Sequence, residues 1–446
     1  MPQALLHQDR LRLFSIPQQQ LAFSFLLFFN TLNMNIAIIG AGAAGCFAAI
    51  EIKRRLPHSK VTVFEGGKKP LAKVAVTGGG RCNLTNSFME VSSIDSVYPR
   101  GARLMKRLLK EFSNKDTCLW FEKAGVRLAT QPDQCVFPLS QDAMEIVNTL
   151  ISLMRKNGVE LKTGHKVTNI TYNEKEQENR YSLEVMSPTG TVLYPASHVI
   201  VTTGGSPKKE GLRMFDKLNL EIIPPVPSLF SLCLPSQPIT QLMGTVVENV
   251  TAAIAGTKMK ADGPILITHW GLSGPAILKL SSYAARYLYE HEYKATIVVN
   301  WFGGEREEYI LNYLNDIIIR HPQKQVQSIY PQQLNSRLWL FILNECGLKE
   351  HMRWAEIGKK GLHRLASCLS SHTFNVNGKN RFKDEFVTCG GIALSNINPS
   401  TLESKKHKGL FFAGEVLDVD AITGGFNLQA AWTMAYIVAK SCANEC

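Results

Sequence analysis

The sequence predicts an α/β fold: a Rossmann-like nucleotide-binding domain with a single dinucleotide site, interrupted by a β-rich inserted domain and a small helical subdomain. Three observations carry that expectation. An apolar strand runs into a glycine-rich loop and a helix over residues 35–56, a second strand, glycine turn and helix close the chain over residues 408–440, and the composition between them changes twice.

Asn35 opens the apolar run Ile36-Ala37-Ile38-Ile39, which reads as a central parallel strand buried on both faces. It ends in Gly40-Ala41-Gly42-Ala43-Ala44-Gly45. Cys46 to Leu56 follows at helical spacing, turns basic at Lys53-Arg54-Arg55 and is stopped by Pro57. A second strand, Lys60-Val61-Thr62-Val63-Phe64, ends in Glu65, 20 residues past Gly45. In this fingerprint Gly40 permits the tight turn, Gly42 lets the backbone approach a pyrophosphate, and Gly45 lets the helix pack on the strand. Glu65 is expected to accept the adenosine ribose hydroxyls, which disfavours a 2′-phosphate and hence NADP. NAD and FAD share this ADP half, so the fingerprint does not separate them.

The run Val74-Ala75-Val76-Thr77-Gly78-Gly79-Gly80-Arg81-Cys82-Asn83 is expected to be neither helix nor ordinary strand. Its N–H groups are free to face a ligand, Arg81 offers a charge to phosphate or substrate, and Cys82 would sit beside the cofactor. A plain surface turn is the alternative. Near the other end, Lys408 to Ala413 reads as a strand leading into Gly414-Glu415-Val416-Leu417-Asp418, and Thr423-Gly424-Gly425 opens an apolar helix from Phe426. An acid there can hydrogen-bond a ribityl chain. The helix N-terminus would face the flavin pyrimidine edge, where negative charge gathers on reduction, and this favours FAD.

The runs TGGGRCNLTN at 77–86, ITHWGLSGPAIL at 267–278, VTCGG at 387–391 and FFAGEVLDVDAITGGFNLQAAW at 411–432 resemble a bacterial family of NAD(P)/FAD-dependent oxidoreductases. That family includes proteins called aminoacetone oxidase and others named after a bile-acid reductase. The likeness spans Met34 to the C-terminus and implies a glutathione-reductase-type FAD domain. Carried over position by position, it implies FAD contacts at Gly40, Ala41, Gly42, Ala43, Ala44, Gly45 and Glu65. It further implies Thr77, Gly78, Gly79, Gly80, Arg81, Cys82 and Asn83, and then Gly414, Glu415, Asp418, Thr423, Gly424, Gly425, Phe426 and Asn427. The family commonly has glycine at Ala421 and tyrosine at Phe426, so local loop shape and one hydroxyl differ here. In related flavoproteins a strand placed like His165 to Ile170 lays backbone against adenine, which makes Val167 a contact. His198 to Thr203 resembles the strand whose turn, Gly204-Gly205, returns to the nucleotide.

These elements divide the chain into a first FAD-binding part at 34–205, a β-rich insert at 206–303, a helical subdomain at 304–371 and a C-terminal FAD-binding part at 372–446. The insert is read from proline-rich connectors and β-branched runs such as Gly244 to Ile254 and Ala295 to Asn300. The subdomain is read from helical patterns at Tyr309 to Ile319 and Leu334 to Cys346. By resemblance, such insertions lie over the flavin and shape the substrate pocket. His269 and Ser273 are its candidates, His269 because imidazole titrates near neutrality and Ser273 as a cap of the helix starting at Gly274 or Pro275.

With 446 residues, 45% hydrophobic and 19% charged, the chain has ample material for a folded core. Ten cysteines at 46, 82, 118, 135, 233, 346, 368, 389, 442 and 446 form neither a Cys-x-x-Cys pair nor a zinc spacing, so reduced thiols, no metal and a cytoplasmic location are expected. Residues 1–33 carry Arg10, Arg12 and the apolar run Leu21 to Phe29, which is too short to span a bilayer and lacks a cleavage site. They are read as an unstructured or artefactual extension, with Met34 as initiator and no membrane partner.

The leading expectation is an FAD-dependent oxidoreductase that moves hydride between flavin N5 and a small organic substrate, with electrons from or to NAD(P)H or oxygen. No side chain need be a nucleophile. Only one dinucleotide fingerprint is present, so NAD(P)H is expected to visit transiently. One rival is a flavin-containing nucleic-acid protein, prompted by the net charge of +12 and the basic stretch Arg100, Arg103, Lys106, Arg107, Lys110, whose spacing puts most of these charges on one face of a helix. Interleaved aromatics for base stacking are missing, so no nucleic-acid partner is expected. Another rival is a non-catalytic FAD redox sensor, supported by Cys82 alone.

Overall fold

The computed structural model describes residues 34–176, 178–206, 209–380 and 387–445. The extension expected over residues 1–33 lies outside them. Five strands form one parallel sheet in the order Leu410–Phe412, His198–Val201, Asn35–Ile39, Lys60–Glu65, Glu160–Thr163. Asn35–Ile39 takes the centre because Ile36, Ala37, Ile38 and Ile39 are apolar on both faces, and all four are buried. The first helix, Ala43–Arg55, packs on the C-terminal helix, Phe426–Ala443, so that Phe47 meets Trp432 at 5.6 Å between ring centroids and Trp120 at 4.5 Å. That C-terminal helix is apolar nearly all round, which suits a helix enclosed on most sides. The expected Rossmann-like domain is therefore present, and its strands put the glycine loops at one edge.

The inserted domain is built on a six-stranded antiparallel sheet in the order Leu232–Cys233, Gly271–Ser273, Lys260–Thr268, Val246–Ile254, Lys294–Asn300, His372–Asn377. Three boundaries differ from the sequence expectation. His372–Asn377, assigned above to the C-terminal FAD-binding part, pairs with Lys294–Asn300 and belongs to the insert. The turns of Lys209–Leu218, assigned to the insert, bury Leu212, Phe215 and Leu218 in the nucleotide-domain core. The helices Glu307–Arg320, Ser336–Glu345 and Gly358–Ser371 are not a separate subdomain: Leu314, Leu338, Trp339 and Leu365 share one apolar core with Val247, Ile297 and Val299 of the sheet. Its three fully buried tryptophans each donate their indole N–H, Trp301 to His372 Nδ1 (3.2 Å), Trp339 to Val326 O (2.8 Å) and Trp354 to Ile329 O (3.1 Å). Burial pushes His372 down to about 4, which keeps its ring neutral and able to accept from Trp301.

The chain enters the insert along Ile222–Ser228 and leaves it along Val387–Ile392, and these two strands pair antiparallel. A buried ion pair holds the seam closed. Arg100 Nε donates to Asp420 Oδ1 at 2.5 Å and Nη2 pairs with Asp420 Oδ2, while Nη1 donates to Ser282 O at 2.6 Å. Ser228 Oγ donates to the same carboxylate at 3.0 Å. Arg100 therefore does not join the basic face expected of it; Arg103, Lys106, Arg107 and Lys110, on and just beyond the helix Ala102–Leu108, remain exposed.

Two predictions follow from charge burial. The Arg100 and Asp420 side chains are 15% and 0% exposed, so Arg100→Met leaves an uncompensated buried carboxylate. A loss of about 3–5 kcal/mol in urea unfolding is expected, with part of it recovered when Asp420→Asn is added. At the far end of the sheet, burial first and the neighbouring Glu445 second raise Glu403 to about 7 from its ordinary 4.5. Glu445 itself is 3.1 Å from His198 Nε2, Lys408 lies near both carboxyls, and Tyr181 caps the Lys408 carbonyl at 2.6 Å. A folded-state pKa above the unfolded one gives stability that is complete below 4.5 and lost as pH rises through 7. Melting temperature should fall between about pH 5.5 and 8.5, and Glu403→Gln should flatten that slope.

Candidate functional site

The first strand ends at Gly40, whose φ of 104° turns the chain into the loop while its N–H donates to Phe64 O at 2.8 Å. Thr202 Oγ1 donates to Ile39 O and Gly40 O at 3.0 and 2.9 Å. A Cβ on Gly45 would stand 1.9 Å from Gly40 O, so only hydrogen fits where the helix starts against the strand. At Gly42 the opposite holds, because nothing lies within 4 Å of where its Cβ would be. Gly42 is the N-cap of Ala43–Arg55 in extended conformation with no side-chain cap, which leaves the first helical N–H groups open to an anion. Glu65 accepts from Ala41 N at 2.9 Å and Gly67 N at 2.7 Å, and a carboxylate so held keeps lone pairs for further donors.

The second glycine run departs from expectation at its start. Val74, Ala75 and Val76 are helical, continuing from Ala72, and the helix breaks only at Thr77 (ψ 148°), with Gly78 and Gly79 at φ 58° and 70°. Gly78 is required by close packing, since its Cβ would lie 2.9 Å from both Asn83 N and Phe137 Cε1. Gly79 and Gly80 have nothing within 4 Å and present open backbone. Arg81 clasps its own loop: Nε donates to Gly78 O at 3.1 Å and the guanidinium lies 4.5 Å over the Phe137 ring. Cys82 is fully buried, and burial raises its thiol to about 12, so it stays protonated.

The two ends of the chain meet at this run. With its amide oriented to satisfy both neighbours, Asn83 accepts from Gly425 N (3.2 Å) and donates to Thr85 O (3.0 Å). Asn86 Nδ2 donates to Gly424 O at 3.1 Å, and Thr85 Oγ1 to Gln429 Oε1 at 2.6 Å. Gly425, at φ 87°, would bring a Cβ within 2.4 Å of Thr85 O. Asn427 holds the turn rather than facing outward, donating to Ala421 O and accepting from Ala421 N, each at 2.9 Å. Phe426 is buried with its ring edge-on to Phe88 at 5.1 Å, an apolar setting in which no hydroxyl is needed.

Gly414 (φ 80°) sits against Ala44, 3.3 Å from where its own Cβ would be. Glu415 accepts from Thr388 N at 2.6 Å, and Lys73 Nζ lies 3.6 Å from its other oxygen. Gly205 leaves room for this carboxylate, as a Cβ there would be 2.6 Å from Glu415 Oε1. Asp418 Oδ1 is buried without a hydrogen bond, 3.6 Å from Arg286 Nη2 of the insert. Val167 is buried in the strand Lys166–Tyr172, and Thr423 is half-buried in its turn.

The structure thus brings residues 40–45, 202–205 and 414–415 together, and separately joins 77–86 to 423–427. His269 lies exposed at the tip of a hairpin, edge-on to Trp270 at 4.4 Å. Ser273 does not cap the next helix, whose N-cap is Gly274 without a side-chain bond; its hydroxyl meets Ser231 at 2.7 Å. No hydrogen bond or ion pair among the described residues links either to the glycine loops. Lys73, Thr202, Thr388 and Arg286 were not named as site residues from the sequence, although Lys73 flanks the 74–83 run and Thr388 lies inside the VTCGG motif at 387–391.

The model of the HI0933-like protein Rossmann domain matches residues 34–441. The chain belongs to that HI0933-like family. Its cofactor is FAD, and its members are FAD-dependent oxidoreductases. The residues fit such a group: Gly42, Gly79 and Gly80 each present open backbone, and Asp418 Oδ1 is buried without a hydrogen bond. A 3-dehydro-bile acid delta(4,6)-reductase of Clostridium scindens is 27% identical over 422 residues, covering 92% of this chain and 99% of that one. A ribosomal RNA dihydrouridine synthase of Haemophilus influenzae is 28% identical over 419 residues, covering 92% and 98%. Among solved structures, an E. coli quinol fumarate reductase chain aligns at 14% identity over 92% of this chain and 70% of that one, with a TM-score of 0.48. No helix among the described residues is long and apolar enough to cross a membrane.

A Gly425→Ala substitution in this HI0933-like chain should displace the turn from Thr85. The purified variant is expected to hold less than about a tenth of the wild-type FAD, read from the ratio of flavin to protein absorbance, because backbone rather than a flexible side chain must yield.

Proposed function

We propose that this chain reduces a carbon–carbon double bond conjugated to a carbonyl in a small organic molecule, with NAD(P)H as the electron donor. The observation that supports it most is what its two named relatives have in common. A 3-dehydro bile acid with delta(4,6) unsaturation is a ketone conjugated to alkenes, and uridine becomes dihydrouridine when hydrogen adds across an alkene conjugated to the uracil carbonyl. In both, each double bond reduced takes one hydride and one proton, two electrons per alkene.

FAD, when bound, supplies the hydride chemistry. In this proposal Gly40, Ala41, Gly42, Ala43, Ala44 and Gly45 hold its pyrophosphate, with the Ala43–Arg55 helix N-terminus supplying partial positive charge. Glu65 holds the adenosine ribose, and Val167 and Gly204 to Gly205 line the adenosine side. Glu415 is fixed by Thr388 and Lys73 to receive a ribityl hydroxyl, and Asp418 does the same with its unbonded oxygen. Residues 77–83 and 423–427 enclose the flavin, and their mutual hydrogen bonds keep water out. His269 and Ser273 are assigned to the substrate side of the insert. A single dinucleotide fingerprint suits a nicotinamide that visits and leaves.

A second reading keeps the chemistry and changes the substrate to uridine within RNA. The net charge of +12 and the exposed Arg103, Lys106, Arg107 and Lys110 favour it.

The test is an anaerobic titration of the holoenzyme with NADH and then NADPH, followed by oxidants. Bleaching of the flavin bands by a nicotinamide, then recovery on adding cyclohex-2-enone or a 3-oxo-4-ene steroid, is the expected result. Recovery only with a uridine-containing oligoribonucleotide would select the second reading. A flavin that neither nicotinamide reduces, or that only oxygen reoxidises, would overturn the proposal.

A further inference from the structure

Two helices of the insert each bring a cysteine to the place where they pack together. Cys346 is the C-cap of Ser336–Glu345 and is 6% exposed, while Cys368, in Gly358–Ser371, is half-buried. Cys346 Sγ donates to Arg364 O at 3.6 Å, which seats the sulfur against the second helix one turn before Cys368. Side chains of a helix tilt toward its N-terminus. Cys368 therefore leans back over the turn that Cys346 touches, and the two thiols share a hydrogen bond. That bond, opposed by burial and aided by the Arg364 guanidinium, holds the Cys346 thiol below its ordinary range, while the same bond and burial push Cys368 up. The pair stands apart from Cys46, Cys82, Cys118, Cys135 and Cys389, each of which burial alone suffices to push up and keep protonated.

We propose that Cys346 and Cys368 are a modification site, at which hydrogen peroxide forms a reversible disulfide that ties these two helices of the insert together. Two thiols that share one proton hold one negative charge between two sulfurs, and the oxidant meets it at Cys368, the half-buried member. The Cys368 sulfur attacks one peroxide oxygen, the O–O bond breaks, and hydroxide leaves and takes up a proton, which makes Cys368 a sulfenic acid. Cys346 then attacks that sulfur. The S–S bond forms, the S–O bond breaks, and the proton of Cys346 leaves with the departing oxygen as water. Together the sulfurs lose two electrons and the peroxide gains two, ending as two waters. The bond closes the chain between 346 and 368, a stretch that holds the buried Trp354 and most of the helix leading into the strand His372–Asn377. Closing that loop removes freedom from the unfolded chain and makes the insert harder to open. A small thiol reverses the step by attacking the disulfide.

In the experiment the FAD-loaded protein is treated with a molar excess of hydrogen peroxide, its remaining thiols are blocked with iodoacetamide in urea, and an unreduced tryptic digest is read by mass spectrometry. The expected product joins residues 338–349 to 365–379, tryptic peptides in which Cys346 and Cys368 are the single cysteines. Dithiothreitol should abolish it. In Cys346→Ser the product is absent and Cys368, with no partner to capture its sulfenic acid, runs on to sulfinic acid. The oxidised wild type should unfold at higher urea than the same protein after dithiothreitol, with the unfolding constant of the insert lowered about a hundredfold, as for a disulfide closing a loop of this size. Recovery of both cysteines alkylated, their conversion to sulfinic or sulfonic acid without a link, or a link from either to a different cysteine would overturn the proposal. A link that leaves the urea transition where it was would overturn the tie between the helices. These readouts need neither nicotinamide nor substrate, so they stand or fall separately from the reductase reading.

Discussion

One guanidinium ties the molecule together. Arg100 comes from the first part of the nucleotide domain, Asp420 from its last part, Ser228 from the strand entering the insert and Ser282 from the insert's own helix. Four stretches of chain converge on one charge. Asp420 stands between Asp418 and the turn that carries Gly424 and Gly425, so the seating of the insert and the shape of that turn share a fixed point. A buried ion pair is a weak source of net stability, but its geometry tolerates little drift, and here the geometry is what the site needs.

The nucleotide half was legible in the sequence because its constraints are carried by single residues. Gly45 is glycine because Gly40 O lies where a methyl group would go, and Gly42 is glycine with empty space before it; the spacing reports both. The same holds for the 77–86 run, except that its first residues extend a helix. Glycines show where the backbone must bend, not where the preceding helix stops. Residues 372–377 were misassigned for a different reason. Strand pairing is a property of two distant segments, and nothing in HTFNVN announces that its partner is 294–300. The helical stretch looked separate because its period differs from that of the sheet, yet Trp339 and Leu365 bury their apolar faces on that sheet.

Contacts that cross the seam were the least visible. Arg286 and Asp418 are far apart in sequence, and neither residue type is unusual for its element. Arg100 looked like one member of a basic face because helical spacing extended back to it, whereas the helix begins at Ala102 and the side chain turns inward to Asp420. The departures at Ala421 and Phe426 proved local: Asn427 closes the turn through the Ala421 backbone, and Phe426 finds an aromatic partner in Phe88.

The strands that carry the chain into and out of the insert, Ile222–Ser228 and Val387–Ile392, are hydrogen-bonded neighbours. To the nucleotide domain, everything between them is therefore a long loop whose two ends already touch. Closing such a loop costs the parent fold little however much is placed inside it, since the entropy grows only slowly with length. The parent keeps its sheet and its glycine turns, while the appended unit can change independently of them. A platform of this kind can carry a different appended unit without rebuilding its own sheet, because whatever changes hangs from a two-stranded ribbon.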